Sequence, residues 1–191
     1  MSKENIKLNE LIKKATVQGL SEDESLDIRI RTIIKKADQQ KRHLTQEEIN
    51  IICRITRISK IEVSMMQAKS KDLVAKARKM LIEEQPDLLQ PKGALYPSKR
   101  AEACWNDCWQ FLRVIGYAYA CNKPEFTSPK GMTALREVYE KLEVPLNGLR
   151  AALKFINILT ANEIETTRGK AQLTNIFEHL REELNISVVK T

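Results

Sequence analysis

The stretch between Pro97 and Pro124 constrains the fold more than any other part of this 191-residue chain. Apolar residues occupy it nearly all round a helix, and Gly116 is the only glycine or proline within residues 98–123. A helix without a polar face has to lie inside a domain, covered by other elements. Because prolines fit poorly inside helices, the two flanking prolines delimit this one. We therefore predict a buried central helix at about residues 99–122.

Capping signals mark where other helices begin. Thr45 with Glu48 has the spacing of a capping box, as do Ser21 with Glu24 and Thr160 with Glu163. Ser128-Pro129 places a proline at the first helical position, where a proline is favoured. Residues 85–97 hold three of the six prolines and one glycine, so we expect an irregular loop there. Each capping signal predicts a helix start at its own position.

The remaining pattern favours an all-α chain. Apolar positions recur at helical spacing, strand-like alternation is nearly absent, and only six glycines interrupt the sequence. We predict a single domain of seven to nine helices, and a helical globule of globin type fits better than a four-helix bundle because the segments are numerous and unequal. We assign residues 1–44 to an N-terminal helical extension that packs on or beside the core, and 45–191 to a globin-like core.

Charge is distributed unevenly along the chain. The formal net charge of +7 lies wholly within residues 1–100, and residues 54–79 carry eight basic side chains against two acidic ones. This basic segment fits either an acidic partner or simply a solvated helix face. It lacks interleaved aromatic residues and any known nucleic-acid motif, so we expect no nucleic-acid partner.

We expect the protein to lie in the cytoplasm or in a plastid stroma. No apolar run reaches 18 residues, so we expect no transmembrane helix. The N-terminal residues are charged and lack the apolar core of a signal peptide. In such a reducing compartment the four cysteines are expected to be free thiols rather than disulfides.

One side of the central helix carries the residues of chemical interest. Cys104, Asp107, Cys108 and Phe111 are spaced i, i+3, i+4 and i+7, so they lie on one face. A carboxylate in the middle of an apolar helix is costly unless it is paired or hydrogen-bonded. Two explanations remain open for Asp107: a structural ion pair, with Arg113 or with another helix, and contact with a bound ligand.

A linear tetrapyrrole, or bilin, would explain these residues together. Its inner pyrrole N–H groups can donate to Asp107, which favours a protonated, cationic pigment. Its reactive end can add the thiol of Cys104. By helix geometry, Cys104 and Asp107 are one turn, or about 5 Å, apart. Its two propionates pair with cations, and Lys99 and Arg100 lie at the start of the helix.

The sequence of this helix resembles the chromophore-binding helix of phycobiliproteins. That family shows a basic pair, then Ala-Cys-x-Arg-Asp, then Leu-Arg with a tyrosine four residues later. Here the matching residues are the run 99–107, Leu112-Arg113 and Tyr117. Further on, residues 135–139 and 142–145 resemble the family's Leu-Lys-Glu-Thr-Tyr and Leu-Gly-Val-Pro segments. The specific resemblance covers about residues 75–160.

The resemblance implies a role for each matching residue. Cys104 corresponds to the cysteine that forms the thioether, and Asp107 to the carboxylate that holds the inner pyrrole nitrogens. Lys99 and Arg100 correspond to the basic residues that meet the propionates. Asn106 stands where the family usually has an arginine that binds a propionate.

Further residues complete the predicted bilin site. The predicted site also includes Cys108, Phe111 and Tyr117, which lie on or near the same helix. The implied cofactor is phycocyanobilin or a biliverdin-like bilin, with covalent attachment at Cys104 as one form of binding. Arg113 corresponds to an arginine that usually pairs across the subunit interface, so a homodimer, or a phycobiliprotein or bilin-pathway protein as partner, is implied.

Two departures argue against a standard antenna subunit. Asn106 removes one charged anchor, and a pI of about 9.2 contrasts with the acidic antenna proteins that stack into discs. Residues 102–105 and 129–131 look more like those of the divergent relatives called bilin biosynthesis-associated globins. We therefore expect a non-enzymatic protein that handles pigment in synthesis, transfer, breakdown or sensing. The alternative is a minor phycobilisome core subunit in light harvesting.

Other chemistries find less support in the sequence. A haem globin needs a proximal histidine in its core helices, and the two histidines, His43 and His179, both lie outside the central helix. A zinc site from Cys104, Cys108 and Cys121 lacks the usual C-x2-C spacing and a nearby fourth ligand. An enzyme such as a bilin lyase or isomerase would use Cys104 as nucleophile and the nearby carboxylate as acid or base, although the same pair also explains binding.

Overall fold

The computed structural model describes residues 3–185, with side chains from residue 6 onward. Within that range the chain forms eight α-helices, one short 3-10 helix and no β-sheet, which confirms the predicted fold class. The short 3-10 helix, Pro86–Leu89, lies in the predicted loop. The α-helices are α1 (Lys3–Lys14), α2 (Ile28–Gln39), α3 (Gln46–Thr56), α4 (Lys60–Glu84), α5 (Ser98–Cys121), α6 (Pro129–Lys141), α7 (Leu146–Asn162) and α8 (Thr167–Glu183).

Helix α5 is the predicted central helix. Every residue from Phe111 to Cys121 is buried, as the apolar sequence requires. Its neighbours are α2, α3, α4, α7 and α8, so other helices surround its C-terminal half. The helix ends at Cys121, and the next residue, Asn122, adopts the left-handed conformation typical of a helix C-terminus.

The Ser21–Glu24 prediction is wrong, because α2 begins seven residues later at Ile28. The backbone N–H of Ser21 donates to Oε1 of Gln18 (3.2 Å), which holds Ser21 in a turn. The cap of α2 is Asp27, whose carboxylate accepts from the backbone N–H of Arg29 (2.9 Å). Contacts of the preceding turn therefore override the local capping signal.

The Thr160–Glu163 prediction is also wrong. Thr160 lies inside α7, and its hydroxyl donates to the carbonyl of Ile156 (2.6 Å). Thr166 caps α8 instead, accepting from the backbone N–H of Gly169 (3.0 Å). The capping box at Thr45 and the helix start at Pro129 are both confirmed.

The connection after α1 is fixed against the start of α6. The backbone N–H of Ser128 donates to the carbonyl of Val17 (2.8 Å), and that of Gly19 donates to the carbonyl of Phe126 (2.7 Å). A Cβ atom on Gly131 would lie 1.8 Å from the carbonyl oxygen of Thr16, so only glycine allows this approach. Helix α1 packs against α6 as well. The division of the chain at residue 44 stays a prediction.

In the part of the chain that the structure describes, no helix combines the length and the hydropathy needed to cross a membrane.

Candidate functional site

Asp107 lies at the centre of the candidate site, and it is partly buried. Its Oδ2 accepts a hydrogen bond from the hydroxyl of Tyr139 on α6 (2.9 Å). Burial raises the pKa of Asp107 above its ordinary value, and the Tyr139 hydrogen bond opposes that rise. Burial likewise raises the pKa of Tyr139, and the charge of Asp107 adds to that effect. The carboxylate therefore has a neutral partner, and no described side chain forms an ion pair with it.

A cavity of about 640 Å³ opens beside Asp107. Helices α5 and α6 form one wall, which includes Asn106, Phe111, Leu135 and Tyr139. The α1–α2 segment forms the opposite wall, and we call it the N-terminal wall; its residues are Ile12, Lys13, Ala15, Thr16, Val17, Gln18, Ser21, Lys35, Asp38, Gln39 and Lys41. The volume lies within the range of small-molecule and cofactor sites.

Cys104 lies one helical turn before Asp107 and is 7% exposed. Cys108 is fully buried, and its thiol shares a hydrogen bond with that of Cys104. This hydrogen bond lowers the pKa of Cys104, although burial and the charge of Asp107 act in the opposite direction. The same hydrogen bond and burial raise the pKa of Cys108. Of the two thiols, Cys104 is the less buried and the one whose pKa is lowered.

The two other cysteines, Cys53 and Cys121, are buried free thiols away from this face. Burial raises the pKa of Cys53 to about 11 and that of Cys121 to about 12. Such thiols are unreactive at neutral pH.

The predicted basic residues lie outside the lining of the Asp107 cavity. The guanidinium of Arg100 donates to the backbone carbonyls of Leu142 (3.2 Å) and Glu143, which follow the end of α6. Lys99 is exposed at the start of α5. Asn106 is exposed and lines the Asp107 cavity. The structure therefore brings Asn106 and Asp107 together at one cavity, and it places Lys99 and Arg100 elsewhere.

The aromatic residues of the predicted site separate along α5. Phe111 is buried and lines the Asp107 cavity. Tyr117 lies further along the helix, where its hydroxyl donates to the carbonyl of Arg42 and accepts from Arg113 (2.7 Å). In this structure Tyr117 anchors the segment after α2, and its assignment to the bilin site stays a prediction.

Arg113 pairs inside the chain rather than with Asp107. Its guanidinium donates to Oδ1 of Asp38 on α2 (2.8 Å), and the two side chains are 6% and 16% exposed. Gln18 of the N-terminal wall donates to the other oxygen of Asp38 (3.1 Å). The hypothesis of an Asp107–Arg113 ion pair is therefore wrong, because Arg113 forms its ion pair with Asp38.

A second cavity of about 500 Å³ lies between α4 and α5. The guanidinium of Arg78 lies 5.8 Å from the ring centre of Trp105, and Trp109 lines the same space. Asn106 borders this cavity as well as the first one.

The histidines have protein partners. His43 Nε2 lies 3.0 Å from the hydroxyl of Ser70, and His179 Nε2 lies 2.8 Å from that of Thr127. Among residues 3–185, no group of three or more histidine, cysteine or acidic side chains is arranged to hold a metal ion.

The residues at the Asp107 cavity fit a bilin in their chemistry. Asp107 offers an oxygen with no hydrogen-bond donor among the described residues, and it faces a space large enough for a cofactor. Pyrrole N–H groups can supply that missing donor. The structure also identifies Tyr139 as a residue of the site, which the sequence prediction did not include. The signal for it was a tyrosine within the apolar face of α6, since a buried hydroxyl needs a partner.

The chain is similar in sequence to subunits of phycobiliproteins. The chain is 28% identical to the C-phycocyanin beta chain of Aglaothamnion neglectum, over 69% of this chain and 80% of that protein. It is 28% identical to allophycocyanin subunit beta-18 of Porphyra purpurea, over 79% of this chain and 92% of that protein. The corresponding subunit of Synechocystis sp. is 25% identical, over 82% of this chain and 95% of that protein.

The match to a family model covers most of the chain. The family described as "Phycobilisome protein" matches residues 32–184, from within α2 to the end of α8. Phycobiliproteins are pigment proteins that carry covalently attached linear tetrapyrroles such as phycocyanobilin, and the all-helical single domain agrees with their globin-like fold. The chain therefore belongs to the phycobilisome protein family, as a divergent member.

Proposed function

We propose that this protein binds one bilin, of the phycocyanobilin or biliverdin type, at the Asp107 cavity. The observation that carries the proposal is the Asp107 carboxylate, which is partly buried, lacks a cationic partner among the described residues and faces a cavity of about 640 Å³. A buried carboxylate without such a partner costs free energy in the absence of a ligand. A ligand with N–H donors, protonated next to the carboxylate, removes that cost.

Each residue of the site has a distinct role in this proposal, and all of them except Cys104 line the cavity. Asp107 accepts from the inner pyrrole N–H groups, and Tyr139 holds the carboxylate in place through its hydroxyl. Phe111 and Leu135 supply apolar contact surface. Cys104 can attach the pigment, because a thiol adds across an exocyclic double bond with its hydrogen passing to the neighbouring carbon and no oxidant required.

The biological task that we favour is pigment handling without catalysis. Asn106 offers no charge to a propionate, and the net charge of +7 lies wholly in residues 1–100, which would repel identical copies in a stacked disc. These features support synthesis, transfer, breakdown or sensing of pigment. We propose that the protein acts in the cytoplasm or at the cytoplasmic thylakoid face of a cyanobacterium, or in an algal stroma. The second candidate is a minor phycobilisome core subunit, which the similarity to allophycocyanin subunit beta-18 favours.

Titration of the purified protein with biliverdin and phycocyanobilin tests the binding proposal. We expect binding near one to one, with visible absorption that is red-shifted and sharpened. The Asp107→Ala variant should bind more weakly and absorb further to the blue, since the carboxylate that stabilises the protonated pigment is lost. Asp72→Ala, which removes the same charge from an exposed position on α4, is the matched control. No spectral change with either pigment would refute the proposal.

Denaturation in acidic urea after co-expression with a bilin-producing pathway tests covalent attachment. Colour that stays with the unfolded chain, and is lost in Cys104→Ala but kept in Cys53→Ala, would assign the bond to Cys104. Size-exclusion chromatography with light scattering on the pigment-loaded protein then separates the two tasks. A monomer or dimer supports pigment handling, whereas stable trimers, hexamers or co-purification with phycobilisomes supports the core subunit.

A further inference from the structure

The N-terminal wall of the Asp107 cavity is basic. Lys13 on α1, Lys35 on α2 and Lys41 after α2 all line the cavity, and all three are exposed. None of them forms an ion pair with a described residue. The one carboxylate on this wall, Asp38, is already paired with Arg113. The wall therefore presents three uncompensated positive charges to a cavity whose other wall carries Asp107.

This wall is held in a defined position rather than merely lying nearby. Hydrogen bonds from Ser128 to Val17 and from Gly19 to Phe126 fix the segment after α1 against the start of α6. Lys41 follows the end of α2, and its backbone N–H donates to the carbonyl of Asp38 (2.9 Å). A backbone that is already in place limits the ordering cost of binding to the exposed lysine side chains.

The cavity therefore suits a ligand with N–H donors at its centre and negative charges at its edge. We propose that Lys13, Lys35 and Lys41 bind the carboxylates of the ligand that sits at Asp107, so that the N-terminal segment of the same chain completes the site. The proposal rests on the proposed function, since it takes the ligand to be a bilin with two propionates. It assigns to three lysines of the N-terminal segment a role that the sequence prediction gave to Lys99 and Arg100.

Biliverdin and its dimethyl ester distinguish the lysine contacts from the rest of the site. The two compounds share the conjugated N–H centre, and only the diacid carries carboxylates. We expect the wild-type protein to bind the diacid more tightly, with a preference that shrinks as ionic strength rises. Replacing Lys13, Lys35 and Lys41 by Gln together should lower the affinity for the diacid by about tenfold, the sum of three exposed ion pairs, and leave the ester unaffected.

A control triple variant, with Lys7, Lys36 and Lys60 replaced by Gln, removes the same charge from exposed positions outside the cavity. Circular dichroism and thermal melting verify that both triple variants fold. Protection of Lys35 and Lys41 from acetylation by the diacid, but not by the ester, gives a readout independent of affinity. The proposal is supported if the cavity variant loses the preference for the diacid and the control variant keeps it.

The opposing outcomes separate this proposal from the proposed function. Equal affinity of the wild type for both compounds would overturn the lysine proposal and leave bilin binding in place. The same holds if the cavity variant keeps its preference for the diacid, because other cations would then hold the carboxylates. If neither compound binds, the proposed function fails, and the lysine proposal fails with it.

Discussion

Removing Asp38 should destabilise the protein strongly, because it leaves the Arg113 guanidinium buried without its counter-ion. The two side chains are 6% and 16% exposed, and their atoms are 2.8 Å apart. Breaking a buried ion pair by removing one partner typically costs about 3–5 kcal/mol. Arg113 keeps hydrogen bonds to Gln110 (2.8 Å) and to Tyr117 (2.7 Å), so we expect a loss near about 3 kcal/mol for Asp38→Ala, the lower end of that range.

Urea unfolding followed by circular dichroism measures this loss directly. For a chain of this size, about 3 kcal/mol also corresponds to a fall of about 6–12 °C in Tm. Glu83→Ala removes one partner of the exposed Lys79–Glu83 pair, and as the matched control it should change stability by less than about 1 kcal/mol.

A double variant tests the physical reason for the loss. In Asp38→Leu with Arg113→Met both charges are absent, so no uncompensated charge remains, and stability should return to near the wild-type value or rise above it. The reasoning is refuted if Asp38→Ala costs no more than the Glu83 control. It is also refuted if the double variant is as unstable as Asp38→Ala, since the loss would then come from packing rather than from charge.

Three further predictions concern the cavity and its walls. Burial raises the pKa of Asp107 above its ordinary 3.8, so the folded state holds that proton longer, and stability falls as pH rises through the raised pKa; in urea unfolding, Asp107→Asn should lack this fall and be more stable than wild type at pH 7. Asn106→Arg should tighten biliverdin binding in titrations by about tenfold or more, because a charged hydrogen bond is worth about 1.5–3 kcal/mol. Gly131→Ala should lower the free energy of unfolding by about 1–3 kcal/mol through its clash with Thr16, whereas Gly148→Ala, where the structure leaves open space, should not lower it.

The sequence predicted best those elements whose signal is a long pattern. Helix α5 was placed within one residue at each end, because an apolar surface all round a helix allows only a buried position. The signals at Ser21 and Thr160 are only four residues long, and similar spacing arises by chance. The hydrogen bonds of Ser21 and the position of Thr160 inside α7 depend on neighbouring contacts, so a capping motif alone was insufficient.

The sequence predicted relative positions along one helix but not the contacts between helices. Cys104 and Asp107 share a face of α5 because helix geometry fixes the positions of residues three apart. Tyr139 contacts Asp107 from 32 residues away, and the N-terminal wall reaches the cavity through the packing of α1 on α6 and of α2 on α5. No local periodicity encodes such contacts, which is why the neighbours of Asp107 required the structure.

The Arg113–Asp38 pair also bears on how this chain can assemble. The family resemblance implies that Arg113 pairs with a partner subunit, yet Asp38 of the same chain already compensates its charge. A second carboxylate would gain little at a guanidinium that already has a counter-ion and two further hydrogen-bond partners. An assembly in which a partner's carboxylate replaced Asp38 would also release Gln18, which belongs to the N-terminal wall of the Asp107 cavity. Because that exchange would disturb the Asp107 cavity, pairing within one chain is in line with our proposal that the protein handles pigment outside a disc.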